Sequence, residues 1–71
     1  MTIKTFAVAA AAAGLRIIDH GDEGIFISAE YGDDRIDSDS FYISSEVDEL
    51  AAEHQVTLEW YNSAMIGIYN G

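Results

Sequence analysis

The chain has 71 residues, 49% of them apolar, with no cysteine and no proline, and its three basic residues (Lys4, Arg16, Arg35) stand against thirteen acids for a net charge of −10. That length suits one small globular domain, and the apolar fraction argues against disorder. The charge disfavours direct contact with DNA, RNA or an anionic membrane, the missing cysteines exclude a disulfide framework and suit a cytoplasmic protein, and two histidines offer little to a structural zinc.

Thr2 or Thr5 can cap a first helix running to Ala13, and Gly14 stands where a C′ glycine belongs. Lys4 before Phe6-Ala7-Val8 and five alanines is faintly like a signal peptide. The internal symmetry described below assigns the segment to the fold instead. Leu15–His20 and Ile25–Tyr31 are β-rich runs around the turn His20-Gly21-Asp22-Glu23-Gly24, the pattern of a hairpin.

The segment Tyr31-Gly32-Asp33-Asp34-Arg35-Ile36-Asp37-Ser38-Asp39-Ser40 has no apolar period and carries four acids within seven residues. It reads as an acidic linker over 32–40, between halves at about 2–31 and 43–70 of a single domain over 1–71.

The second half repeats the first. Ser45 with Asp48 resembles a capping box. Val47, Leu50, Ala51 and His54 form one helical face. Val56–Tyr61 alternates as a strand, Asn62-Ser63 makes a turn, and Ala64–Tyr69 is the last strand. A shift of 41 residues aligns the halves without a gap: Phe6 with Val47, Ala10 with Ala51, Leu15 with Val56, Ile17 with Leu58, Ile25 with Ile66, Ile27 with Ile68. What repeats is the pattern of burial rather than residue identity.

The expected fold is α+β, ordered α-β-β-α-β-β, from two pseudo-repeated α-hairpin halves. One hairpin alone is marginal in water, so the two together make a four-stranded antiparallel sheet with both helices on one face. Either hairpin edge could supply the central pair, so strand order stays open. Alternation turns Leu15, Ile17, Ile25, Ile27, Val56, Leu58, Trp60, Ile66 and Ile68 toward the helices. It turns Arg16, Ile18, His20, Phe26, Ser28, Glu30, Thr57, Glu59, Tyr61, Met65, Gly67 and Tyr69 away. Ile18, Phe26, Tyr61, Met65 and Tyr69 make that second face more apolar than a solvated sheet usually is. Two readings follow: the segment Phe41-Tyr42-Ile43 covers it, or it is a homodimer or partner interface.

Nothing in the sequence specifies a reaction. Asp19-His20-Gly21-Asp22-Glu23 is better explained as a polar turn than as an acid/base or metal site. His54 falls where a helix-end residue meets the last carbonyls. The linker acids fail the EF-hand pattern, since Asp37 and Asp39 as first and third ligands put Phe41 fifth and leave no glycine. No phosphate-binding, zincin or serine-hydrolase signature occurs. The expectation is a non-enzyme with no catalytic residue, cofactor or metal.

The acids are the feature left to explain. Glu46, Glu49 and Glu53 form one stripe on the second helix without a neighbouring cation in that helix. The helix dipole favours acids in the first turn, which accounts for Glu46 and Asp48 but not for Glu53. Asp37 and Asp39 would stand roughly 6.6 Å apart in an extended chain, on the scale of phosphate spacing. With Asp33, Asp34, Asp37, Asp39, Glu46, Asp48, Glu49 and Glu53 strung along a linker and a helix, this very short, acidic, cysteine-free chain resembles the small phage-encoded anti-CRISPR proteins of the DNA-mimic kind. The resemblance covers size and charge over the whole chain and rests on no motif. It implies an inhibitor in the host cytoplasm, without activity of its own. Such a protein occupies the basic DNA-binding surface of a CRISPR effector complex or a similar nucleic-acid-binding protein. The alternative is a small regulatory or structural module, antitoxin-like or a phage accessory dimer, working through the apolar sheet face.

Overall fold

A computed structural model describes residues 2–30 and 34–70, so Asp33 and the Tyr31 end of the second expected strand lie outside the described residues. Helix α1 spans Thr2–Ala12. Alanine, the strongest helix former, fills its second half. The side chain of Thr2 is outside the described residues, and Thr5 lies within the helix rather than at its cap.

The end of α1 is a Schellman motif. The Gly14 N–H donates to the Ala11 carbonyl (3.0 Å) and the Leu15 N–H to the Ala10 carbonyl (3.0 Å), with Gly14 at φ +95°. That reversal sends Leu15 into the core and feeds strand β1 (Ile17–Asp19). A turn of 3-10 helix over Gly21–Glu23 leads to β2 (Ile25–Ser28). The Asp19 carboxylate accepts the Gly21 N–H (2.8 Å), and the His20 N–H donates to the Gly24 carbonyl (2.9 Å).

The acidic segment contributes structure of its own. Ile36–Asp37 (β3) pairs with Tyr42–Ile43 (β4) as a small antiparallel ribbon. Ile36 is buried in the core, and Ile43 packs against it. The segment read as a linker therefore supplies part of the hydrophobic core.

Helix α2 spans Ser45–Glu53. Its cap is Ser44, whose hydroxyl accepts the Val47 N–H at 3.4 Å, so the expected Ser45/Asp48 capping box does not form. Starting one residue earlier leaves Ser45 as the first helical residue and puts Val47, the third, onto the core. At the other end His54 is the cap, with Nδ1 3.0 Å from the Leu50 carbonyl. Gln55 follows at φ +58°. It is the position that the 41-residue shift matches to Gly14.

Strands β5 (Val56–Asn62) and β6 (Met65–Asn70) close the fold. The Asn62 side-chain oxygen accepts the N–H groups of Ala64 (2.8 Å) and Met65 (2.9 Å), which fixes the turn between them. The sheet runs β1-β2-β6-β5, all neighbours antiparallel. The second strand of each hairpin is thus central.

Register carries the repeat further than the burial pattern did. Ile17 faces Ile27, and Leu58 faces Ile68, the same pair shifted by 41. Ile18↔Phe26 and Asp19↔Ile25 likewise correspond to Glu59↔Gly67 and Trp60↔Ile66. The two hairpins share one register over these three pairs; beyond Trp60 a shift in β5 brings Asn62 opposite Met65.

One core lies between the sheet and the helices: Phe6, Ala10, Leu15, Ile27, Ile36, Val47, Ala51, Val56, Ile66 and Ile68 are buried together. Ile17, Ile25, Leu58 and Trp60 pack against it, so all nine residues that alternation turned inward lie on the helix side. Phe6, Ile27, Ile66 and Val47 are the largest fully buried side chains, each stabilising the fold by roughly 1.5–3 kcal/mol through burial. Ala10 is fully buried, which lets α1 sit close to the sheet. Among the described residues, no helix is long and apolar enough to cross a membrane.

Candidate functional site

Two surfaces could carry function: the acidic edge formed by the β3–β4 ribbon with α2, and the sheet face turned away from the helices.

On the acidic edge, Asp34, Asp37, Asp39, Glu46, Asp48, Glu49 and Glu53 are all exposed, while Asp33 lies outside the described residues. They are not equivalent. The Asp37 carboxylate accepts the Asp39 N–H (2.9 Å) and the Ser40 hydroxyl (3.1 Å), which folds residues 38–41 into a turn. The expected extended row from Asp37 to Asp39 is therefore corrected. Asp37 uses one oxygen on the Asp39 N–H and the other on the Ser40 hydroxyl, the ordinary local competition of an Asp side chain with extended structure.

Glu46 is also engaged. Arg35 Nη1 lies 3.4 Å from its carboxylate and donates to the Ala13 carbonyl at 2.8 Å. One guanidinium thus joins the end of α1, the ribbon and the first turn of α2. Glu49 and Glu53 continue along the same groove between the end of α1 and α2, which Leu15, Val47 and Leu50 floor. Asp48 stands on another side of the helix. Among the described residues Asp34, Asp39, Asp48, Glu49 and Glu53 form no ion pair. Asp48 gains from the helix dipole, whereas Glu53 in the last turn is opposed by it.

The outer sheet face is built by register. Gly67 sits at its centre, between Phe26 on β2 and Glu59 on β5. With no side chain there, the Tyr69 ring folds over the glycine: a Cβ at position 67 would meet Tyr69 Cζ at 2.6 Å. Phe26 packs against Tyr61 (ring centroids 5.0 Å) and edge-on against His20 (5.5 Å). It is only 4% exposed although it points away from the core. Tyr61 and Tyr69 remain 60% and 43% exposed.

The segment Phe41–Ile43 does not cover this face. Phe41 packs edge-on against Trp60 (5.2 Å), a residue on the helix side, and Ile43 joins the core. Of the five residues expected at an interface, Phe26 is buried beneath its neighbours, Ile18 and Met65 are half-buried, and Tyr61 and Tyr69 are exposed. His20, which alternation also turned to this face, belongs with them through its ring contact with Phe26. The isolated glycine in β6 was the sequence signal for a close approach at position 67.

The histidines are apart. His20 Nδ1 lies 3.6 Å from Glu23 at the turn, and His54 packs its ring edge toward Phe6 (6.0 Å) at the end of α2. Among the described residues no three His, Asp or Glu side chains converge as a metal-binding group. Compared with protein-family models, curated proteins and solved structures, the chain matches none.

Proposed function

We propose that the chain is a non-enzymatic acidic inhibitor. It presents carboxylates in place of phosphates to a basic nucleic-acid-binding protein, and a CRISPR effector complex in the cytoplasm of a phage-infected host is the partner that its size and charge suit. The observation that carries the reading is the exposed set Asp34, Asp39, Asp48, Glu49 and Glu53 on successive elements of one small fold, none of them in an ion pair among the described residues. Acids bound for solubility alone need no fixed frame. Here Ser44 caps α2, Asp37 fixes the turn, and Arg35 ties ribbon and helix to α1. A fixed set of like charges is disfavoured in the free protein and is relieved when a cationic groove closes on it.

The working part of the site is narrower than the eight acids read from sequence. Asp37 and Glu46 serve chiefly to hold the frame. Asp34, Asp39, Glu49 and Glu53 are the carboxylates left to face a groove of lysines and arginines, with Asp48 on another side of α2. Such a partner is steered toward a protein polyanion as it is toward nucleic acid.

The test is capture by the tagged chain from a bacterial lysate expressing CRISPR effectors, washed through a salt gradient. Support is recovery of a nucleic-acid-binding complex that elutes at moderate salt and is displaced by DNA. Recovery of the chain alone, or of a partner indifferent to salt and DNA, overturns mimicry and leaves the sheet-face module in its place.

A further inference from the structure

The outer sheet face is a different surface from the acidic edge and has a different chemistry. Tyr61 and Tyr69 offer exposed rings, and Phe26 packs beneath Tyr61. Glu59 is exposed and stands directly opposite Gly67, the position over which Tyr69 folds, and although the register of β5 shifts between Trp60 and Asn62, the Tyr61 ring reaches the same face through its contact with Phe26. One carboxylate and two aromatic rings therefore share the face around the cross-strand row Phe26, Gly67 and Glu59. A second carboxylate, Glu23, borders the cluster at its other margin through its contact with His20 (3.6 Å), whose ring meets Phe26.

We propose that this face is a docking site for an arginine side chain of a basic protein partner, the guanidinium stacking on Tyr61 and Tyr69 and pairing with Glu59. Charge selects this occupant among those that would cover aromatic rings. The chain carries −10. A second copy bound about a two-fold axis would add another −10 and bring two Glu59 carboxylates to the same patch. Nucleobases stack on such rings, but their phosphates are repelled by the same charge. A guanidinium satisfies both features together: its plane stacks on an aromatic face, and its N–H fork pairs with a carboxylate. Lysine supplies the charge without the plane and is the weaker ligand here.

The test is an NMR titration of the intact chain, with labelled tyrosine and phenylalanine rings, using the blocked tetrapeptide Gly-Arg-Arg-Gly against its Gly-Lys-Lys-Gly counterpart. The ring signals of Tyr61 and Tyr69 are expected to move saturably with the arginine peptide and less with the lysine one. E59Q, Y61L and Y69L are each expected to weaken binding by about three- to fivefold, whereas Y61F and Y69F keep it. Unmoved ring signals, or full affinity in Y61L and Y69L, overturn the proposal. So does a sedimentation result in which two copies close this face against the peptide, or a single-stranded oligonucleotide that moves the rings in its place. Because the rings report on this face alone, failure here leaves the mimicry of the α2 carboxylates standing, and the reverse also holds.

Discussion

Phe26 and Gly67 face each other across the central strand pair, and they are 41 residues apart (26 to 67), the shift that superposes the two halves. The pseudo-two-fold relationship between the hairpins therefore passes through this pair. One half places a phenylalanine there and the other a glycine, so the outer face is asymmetric at its centre. Phe26 fills one side, and the Tyr69 ring lies over the other.

Gly67→Ala displaces that ring. An alanine normally improves a strand, but here the new methyl takes the place of Tyr69 Cζ. The expected loss is about 1 kcal/mol in the wild-type background and near zero with Tyr69→Ala. Urea midpoints of the four proteins in a double-mutant cycle measure it; equal losses in both backgrounds would show that the ring does not depend on the glycine.

Gln55 holds a left-handed conformation that Gly14 holds in the first half. Gln55→Gly removes a steric cost of roughly 1 kcal/mol, partly offset by the freedom glycine adds to the unfolded chain. A net gain of a few tenths of a kcal/mol is expected, read as a rise of a few degrees in Tm. Gly14→Ala is expected to lower Tm, because an alanine is strained at φ +95°.

Ile36 is the only residue of the β3–β4 ribbon that is fully enclosed in the core. Ile36→Ala should destabilise the whole domain by about 2–4 kcal/mol, a large share of what a chain this small has. Chemical denaturation would show one cooperative transition at lower urea. A transition unchanged from wild type would mean that the ribbon merely tethers the halves.

Arg35 combines a cap with an ion pair, and salt separates them. Arg35→Met loses the bond to the Ala13 carbonyl and the Glu46 contact, about 1 kcal/mol together. Glu46→Gln loses the exposed pair and the gain of an acid in the first turn from the helix dipole, about 0.5–1 kcal/mol together. The Glu46→Gln loss should vanish near 1 M salt, while most of the Arg35→Met loss persists. Unfolding curves at low and high salt would report both.

The α+β architecture was legible because folding responds to burial, and burial repeats with period 2 in the strands and 3.6 in α2. Ile17, Ile27, Leu58 and Ile68 announced their partners by alternation and by the shift of 41. Strand order was not legible, since both hairpins have an apolar face and nothing in Ile25–Ser28 or Met65–Asn70 marks either strand as central. Ile36 was missed because a single apolar residue among acids has no period. Asp37 was misread for a related reason: whether a carboxylate faces a partner or its own backbone is decided by the turn it occupies. The outer face was legible as apolar, but its cluster depends on cross-strand neighbours. Alternation placed His20 and Gly67 on that face, but the His20 contact with Phe26 and the folding of Tyr69 over Gly67 were not legible.

The decisive measurement is the affinity of the chain for a CRISPR effector complex, followed from about 0.1 to 0.5 M salt for wild type, D39K and E49K/E53K. Mimicry predicts that wild-type affinity falls by about tenfold or more over that range and that DNA competes for the same surface. It also predicts that D39K weakens binding and that E49K/E53K abolishes it while the fold survives. Binding that is indifferent to salt, to DNA and to both variants would contradict it.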